Sequence, residues 1–284
     1  MNNHGLTLVP PRLTPVLDSF CRPAALANRH FRELTRASGK AVPVQVALEQ
    51  ADGSVSHFAT AVFPEQHPLA AGNFTYLERL MKFLLWSRGG FRVHFSGPAM
   101  LGQHLQKYYA ETPTGEFDAH IMGDRIYEQP FEVRITQEIP PARASTTPLG
   151  RHLDGCRIGF DLGGSDRKVA AVQNGECVFS EEVVWNPVPQ SDPQWHLDQI
   201  MDSLKRAARY LPRVDAIGGS AAGVYVNNRV KVASLFRGVP PELFNRRVKN
   251  LFLELKQAWG NIPFEVANDG EVTALAGSMA LGCN

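Results

Sequence analysis

The dipeptide Asn174-Gly175, set between two apolar runs, constrains the fold of this 284-residue chain more than any other feature. The runs are residues 168–172 before it and residues 177–179 after it. Asn-Gly is favoured where both central residues of a tight hairpin turn have positive φ, so these runs are predicted to be paired antiparallel strands. A further apolar run at residues 157–162 precedes them, which predicts a meander of three strands.

The turn between the first two strands of this meander contains Asp161, Gly163, Gly164 and Ser165. Glycines allow backbone N–H groups to approach a phosphate without interference from Cβ. A carboxylate beside them can hold a hydrated Mg²⁺ through its water ligands. The turn therefore predicts a phosphate and metal site, with an ordinary glycine turn as the alternative.

Composition excludes several classes of protein. The formal net charge of +1 gives no reason to expect nucleic acid or an anionic membrane as a partner. No apolar run reaches the ~18 residues of a membrane-spanning helix, and residues 1–40 lack the pattern of a signal peptide. The 4 cysteines include no C-x-x-C pair, so no zinc site is expected. We expect a cytoplasmic protein.

The chain length predicts two domains, and a proline-rich segment at residues 139–154 is the predicted linker. Residues 41–138 before it are predicted to form a mixed α/β domain, to which the sequence assigns no role. Residues 1–40 contain prolines and little periodicity, so we expect a loosely structured segment. Residues 155–284 are predicted to be a second domain.

This second domain has the predicted order β-β-β-α-β-α-β-α. The first helix is expected to begin after Ser191 or Asp192, with Pro193 in its first turn. An apolar stripe from Phe244 to Trp259 predicts a second, long helix. A short apolar run at residues 263–266 is the predicted fifth strand, and it leads into a helix of small residues.

Three motifs at predicted strand ends carry a family resemblance. They are Asp-Leu-Gly-Gly-Ser at 161–165, Gly-Ser-Ala-Ala-Gly at 219–223 and Ala-Asn-Asp-Gly-Glu at 267–271. With this order of elements, residues 155–284 resemble the first lobe of the ribonuclease H-like, actin-type ATPase fold that hexokinases and Hsp70 share. Within that superfamily the chain resembles the ROK family of repressors and sugar kinases.

The resemblance implies ATP-dependent phosphorylation of a sugar hydroxyl, with ATP and Mg²⁺ as cofactors. Asp269 would be the catalytic base that takes the hydroxyl proton. The residues implied to bind the sugar are Asn268, Gly219, Ser220 and Gly223. Those implied to bind the ATP phosphates and Mg²⁺ are Asp161, Gly163, Gly164 and Ser165. The alternative for the Asn-Asp pair is a helix cap, because both residues are favoured at helix starts.

The sequence also departs from the family pattern. Asp166 stands where the family often has lysine, and it adds negative charge near the expected phosphates unless Arg167 or Lys168 offsets it. Ala222 replaces the proline of the sugar loop, and Ala267 replaces an acid. The family's zinc site and second lobe have no counterpart in this sequence. We therefore expect half of an ATP cleft, which would bind nucleotide weakly and would not be competent for turnover alone.

Three interpretations remain open. The first is a sugar kinase represented by its first lobe, with glucokinase-like chemistry. The second is a non-catalytic ROK-type regulator or scaffold that senses a sugar, and the third is an unrelated α/β domain. The expected partners are a small sugar and ATP, and the resemblance favours a homodimer.

Overall fold

The computed structural model describes residues 5–144, 150 and 152–282. The chain divides into two units, Met1–Thr146 and Thr147–Asn284, which we call the N-terminal and C-terminal units. The division falls within the segment 139–154. Residues 145–149 and 151 of that segment lie outside the described residues.

A mixed sheet forms the centre of the N-terminal unit. Its strands are β1 (Val42–Glu49), β2 (Val55–Val62), β3 (Arg92–Ser96) and β4 (Glu132–Ile135). They pair in the order β2-β1-β3-β4, antiparallel except for the parallel pair of β3 and β4. We call this the N-terminal sheet. The sequence predicts these four strands at residues 42–48, 55–63, 91–95 and 131–135, the last from its alternation of apolar and polar residues.

The helices of this unit are α1 (Ala24–Ala37), α2 (Asn73–Arg88), α3 (Ala99–Glu111) and α4 (Pro113–His120). A π-helical segment, Ile121–Tyr127, continues from α4. Thr112 begins α4 because its hydroxyl oxygen accepts a hydrogen bond from the Gly115 N–H, with proline at the first helical position.

The expectation that residues 1–40 are loosely structured is wrong for Ala24–Ala37, which is helix α1. Ala27 and Phe31 are four residues apart, so both lie on one face of the helix and are buried. The Phe31 ring stacks on Tyr76, with 4.3 Å between ring centroids. Leu34 continues this apolar spacing, and packing of the Phe31 ring stabilises the helix further.

The outer face of the N-terminal sheet carries a ladder of paired charges. Arg92 Nη1 lies 3.0 Å from both carboxylate oxygens of Glu49, and Arg92 Nε lies 2.9 Å from Glu132 Oε2. His94 Nε2 donates to Glu49 Oε2 over 2.8 Å, and Arg134 binds Glu132. Every one of these side chains is paired with a side chain of a neighbouring strand or of its own strand.

The C-terminal unit is built on a second sheet, which we call the C-terminal sheet. Its strands are β5 (Cys156–Leu162), β6 (Asp166–Gln173), β7 (Glu176–Val184), β8 (Ala216–Ala221) and β11 (Phe264–Asn268). They pair in the order β11-β8-β5-β6-β7. Strands β5, β8 and β11 are mutually parallel, whereas β6 and β7 continue as an antiparallel meander.

The meander turns at Asn174-Gly175 as predicted, with φ values of 50° and 87°. A further hairpin in this unit was not predicted, in contrast to the one at Asp52-Gly53 that joins β1 to β2 as the sequence predicts. This further hairpin joins β9 (Val224–Val226) to β10 (Arg229–Val232) through Asn227 and Asn228, both of which have positive φ. The alternation of residues 224–232 around two asparagines is the signal that would have identified it.

The helices of the C-terminal unit are α5 (Pro193–Ala208), α6 (Pro241–Arg246), α7 (Leu251–Ala258) and α8 (Asp269–Ala280). Asp192 caps α5 as predicted, accepting from the Gln194 N–H. The single long helix predicted from Phe244 to Trp259 is wrong. The backbone leaves the helical region at Arg247, and a 3₁₀ turn at Val248–Asn250 separates α6 from α7. Valine and asparagine are weak helix formers, which the apolar spacing does not take into account.

Alternation divides the C-terminal sheet into two different faces. The inner face packs against α5 and α7, and its buried residues include Ile158, Phe160, Leu162, Val169 and Ile217. The outer face carries the intervening residues.

Among the described helices of the chain, none is both long enough and apolar enough to cross a membrane.

Candidate functional site

The carboxyl ends of three parallel strands meet at one edge of the C-terminal sheet. Asp161 is the penultimate residue of β5 and pairs in register with Ser220 of β8, and Asn268 ends β11. In open α/β sheets, ligands bind at this end of the strands. The edge therefore brings the three sequence motifs together.

Asp161 is half-buried and is oriented by Ser220, whose hydroxyl donates to Asp161 Oδ1. Ser220 was expected to bind a sugar, but its hydroxyl contacts this carboxylate. Lys168 is the register partner of Asp161 on the other side, on β6. A half-buried carboxylate fixed at a strand end fits the role of holding the water ligands of a Mg²⁺ ion. Among residues 5–144, 150 and 152–282, no group of three or more His, Cys, Asp or Glu could hold a metal ion directly.

The glycine turn is held from behind by Trp185. The indole N–H of Trp185 donates to the Gly163 carbonyl over 2.8 Å, and its backbone N–H donates to the Ser165 carbonyl. A Cβ placed on Gly164 would meet no atom within 4 Å, so this side of the turn is open. The sequence did not identify Trp185, because a tryptophan after a strand is usually part of the core.

Asp166 lies against the turn. Its main-chain carbonyl accepts from the Gly163 N–H over 2.9 Å, and an ideal Cβ on Gly163 would lie 3.4 Å from Asp166 Oδ1. The Ser165 hydroxyl donates to Asp166 Oδ2 over 2.9 Å, and the Lys168 ammonium donates to Oδ1. Hydrogen bonds from Lys168 and then Ser165 hold the pKa of Asp166 below its ordinary value. The carboxylate therefore remains ionised.

Arg167 points away from this site. It is 3% exposed on the inner face, where it binds Ser203, Gln199 and Asp202. Of the two cations that were expected to offset Asp166, only Lys168 lies on the outer face, and half of its side chain is exposed. Strand parity explains this outcome, because Arg167 shares a face with buried Val169.

Asn268 caps helix α8. Its Oδ1 accepts from the Gly270 N–H over 2.8 Å, and Glu271 completes a capping box with the Asn268 N–H. Its Nδ2 donates to the Gly223 carbonyl over 2.8 Å. Both polar atoms of the amide therefore have partners within the protein. This helix cap is the alternative to sugar binding that the sequence left open for Asn268.

Asp269 is exposed at the first position of α8, where its Oδ1 accepts from the Gly270 N–H over 2.9 Å. Tyr225 lies near enough for the negative charge of Asp269 to raise the pKa of its hydroxyl, although burial is the larger cause.

The two glycines of the second motif have packing roles. A Cβ on Gly219 would lie 2.0 Å from the Phe160 ring, on the inner face of the sheet. Gly223 has φ of 146°, and a Cβ there would lie 2.5 Å from the Val232 carbonyl oxygen. Both positions therefore require glycine whether or not a sugar binds nearby.

The outer face of the C-terminal sheet forms a groove of about 680 Å³. Cβ atoms built on Gly159 or Gly218, which form its floor, would meet nothing within 4 Å. Side chains of Val272 and Leu275 on α8 line one part of it. The polar residues that line it are Asp161, Lys168, Ser180, Glu181, Glu182, Ser220 and Glu265.

Comparisons with known proteins give matches only among solved structures. No family model and no curated protein matches the chain. The ROK hexokinase from Thermus thermophilus is 20% identical, with a TM-score of 0.33 over 43% of this chain and 37% of that one. A ROK family transcriptional regulator, a homologue of the E. coli MLC protein, is 22% identical, with a TM-score of 0.36 over 45% of this chain and 31% of that one.

A third match is the glucokinase from Parabacteroides distasonis, 20% identical with a TM-score of 0.34 over 41% of this chain and 31% of that one. The chain thus spans about a third of the length of these structures. Each of these three matches covers less than half of this chain.

Proposed function

We propose that the C-terminal unit forms the phosphate and sugar edge of an ATP-dependent sugar kinase of the ROK type, built on an actin-type ATPase lobe. One observation carries this proposal. The Asp161 carboxylate is fixed by Ser220 at the carboxyl edge of parallel strands, next to an open glycine turn and on the edge where Asp269 begins a helix.

Each residue of this edge has a chemical role in the proposal. Asp161 would hold Mg²⁺ through water, and the backbone at Gly163 and Gly164 with the Ser165 hydroxyl would bind phosphate. Asp269, exposed at the start of α8, would accept the proton of the sugar hydroxyl. ATP supplies the phosphoryl group, and the metal ion reduces the repulsion between phosphate and an attacking oxygen.

Asn268 has a different role from the one that the resemblance implies. Its amide caps α8 and holds Gly223, so it fixes the start of the helix that presents Asp269. Asn268→Asp keeps the capping oxygen but loses the donor to Gly223. A purely capping role predicts that this variant retains sugar binding, whereas a direct contact from Nδ2 to a sugar predicts its loss.

Measurements of turnover and of binding test the proposed roles of Asp269 and Asp161 separately. Mg·ATP and a panel of hexoses are titrated against the full chain by calorimetry, and sugar-dependent release of ADP is measured. Asp269→Asn should abolish any sugar-dependent ADP release that the chain shows, and it should leave Mg·ATP binding, the main readout for half of a cleft, intact. Asp161→Asn should weaken Mg·ATP binding about tenfold or more, since a carboxylate near a dication contributes a charge-assisted interaction.

Asp154→Asn is the matched control, because Asp154 is an exposed carboxylate just before the opposite end of β5. It should change neither binding nor turnover. Mg·ATP binding that is equally strong in Asp161→Asn would contradict the proposed site.

A second function is favoured by the contacts of Asp166. Its carboxylate is bound to the hydroxyl and the ammonium nearest the glycine turn, which weakens the turn as a phosphate site. A non-catalytic regulator that binds a sugar without ATP turnover is therefore the alternative. Sugar binding with neither ADP release nor Mg·ATP binding would support it.

A further inference from the structure

The contacts of Asp166 bear on what the glycine turn can bind. The two donors that flank the turn on the outer face are the Ser165 hydroxyl and the Lys168 ammonium, and both donate to the Asp166 carboxylate. A phosphate oxyanion at such a turn is bound by the same kinds of donor: a hydroxyl, an ammonium and backbone N–H groups.

The backbone holds this carboxylate in place. The hydrogen bond from the Gly163 N–H to the Asp166 carbonyl fixes residue 166 relative to the turn. Alternation along β6 then places Asp166 and Lys168 on the same face, two residues apart. The carboxylate therefore lies beside the turn as a consequence of strand geometry.

We propose that Asp166 is the residue that sets the anion affinity of the turn, because its carboxylate occupies the donors that a polyphosphate would use. Polyphosphate binds there only by displacing the Asp166 carboxylate from Ser165 and Lys168. The displaced carboxylate then repels the bound polyphosphate, because both are negatively charged. This inference rests on the proposed function, in which the turn is a phosphate site.

Exchange of partners is feasible at this position. The pair is exposed on its Lys168 side, with 47% of the Lys168 side chain and 24% of the Asp166 side chain accessible, and ion pairs open to solvent are weak. Lys168 is the cation available for phosphate on this part of the outer face, since Arg167 is buried on the inner face with Asp202. Lys168 should therefore bind phosphate once Asp166 no longer competes.

The test is binding of tripolyphosphate, which has no base or ribose and so reports on the turn itself. Asp166→Asn keeps the size of the side chain and an acceptor for Ser165 but removes the charge. We expect its affinity to be about five- to tenfold higher than that of the natural chain, by calorimetry or ³¹P line broadening. Lys168→Met should reverse this gain in the double variant.

Two controls distinguish the turn from a general charge effect. Asp154→Asn removes a carboxylate remote from the turn and should leave tripolyphosphate affinity unchanged. Urea unfolding of Asp166→Asn should match that of the natural chain, because the pair it breaks is exposed.

Several outcomes would overturn the inference. Equal or weaker binding by Asp166→Asn does so, as does a gain that persists in the double variant. If the natural chain binds Mg·ATP in a manner that depends on Asp161 while Asp166→Asn changes nothing, the inference fails and the proposed function stands. If neither chain binds any polyphosphate, both fail.

Discussion

The outer faces of the two sheets differ in how their polar groups are used. On the N-terminal sheet, Arg92 lies between Glu49 and Glu132, and His94 completes the ladder at 7% exposure. On the C-terminal sheet, the outer face has a glycine floor and an exposed Lys168, with polar groups concentrated at the strand ends.

This difference distinguishes a polar sheet face that stabilises the fold from one that can bind a ligand. Where each charge is paired with an opposite charge on its own or a neighbouring strand, the polar residues stabilise the sheet and have little capacity to bind a ligand. Where small side chains leave a groove and carboxylates stand at the carboxyl edge, the same strand geometry leaves room for a substrate. The variants below separate these two roles.

The largest effect is expected at Gly219, which lies on the inner face of the C-terminal sheet. Gly219→Ala places a methyl group within 2.0 Å of the Phe160 ring. We expect it to lower the free energy of unfolding by about 3 kcal/mol, because overpacking forces side chains or backbone to shift. Urea unfolding followed by circular dichroism measures this. A loss no larger than that of Gly218→Ala would contradict the division of this sheet into a packed and an open face.

Arg92→Met tests the ladder on the N-terminal sheet. It leaves Glu49 and Glu132 without their shared cation, and we expect a loss of about 2 kcal/mol in unfolding free energy for this half-buried group. Lys168→Met is the matched change on the other sheet, and it should leave the unfolding transition where it is. Equal effects of the two variants would show that the two outer faces are alike.

The pH dependence of the free energy of unfolding tests how much Glu49 contributes to the ladder. The hydrogen bond from His94 is the main cause that lowers the pKa of Glu49 in the folded protein. A carboxyl with a lowered folded pKa contributes stability above its unfolded pKa, and this contribution is lost as the pH falls through the folded value. Glu49→Gln should therefore be less stable than the natural chain at pH 7, and the gap should narrow as the pH falls below the ordinary carboxyl range.

Glu33→Gln on the exposed face of α1 is the control for this measurement, and its gap should be close to zero at every pH. A gap for Glu49→Gln that widens on acidification would contradict the role given to this carboxylate.

The smallest effect is expected at Gly218, the neighbour of Gly219 on the opposite face. A Cβ there meets nothing within 4 Å, so Gly218→Ala should change the free energy of unfolding by less than about 0.5 kcal/mol. The added methyl group does narrow the groove floor. A variant that is as stable as the natural chain but has altered sugar or nucleotide affinity would locate ligand binding in the groove.

Local sequence signals predicted the elements that they specify directly. Asn174-Gly175 gave the hairpin and Asp192-Pro193 the start of α5, because each pair determines backbone geometry within a few residues. Helix α1 was missed because the prolines before it outweighed the helical spacing of Ala27, Phe31 and Leu34. That spacing is a local signal, and contact of Phe31 with Tyr76, 45 positions away in sequence, adds packing that the sequence does not show.

For the candidate site, the sequence identified which residues lie at strand ends but not how their side chains are used. Asp161 and Asn268 are both at the expected edge. The hydrogen bond between Ser220 and Asp161 depends on the register of two strands 59 residues apart. The position of Arg167 could have been predicted, since it shares strand parity with Val169 and Ala171.

The intrinsic fluorescence of Trp185 reports on the position of the glycine turn. The Trp185 indole N–H is bound to the Gly163 carbonyl, and the ring stacks on Trp195 with 5.8 Å between centroids. Tryptophan emission responds to the hydrogen bonding of the indole N–H. A displacement of the turn that lengthens this bond would therefore change the fluorescence of the protein, without any attached dye.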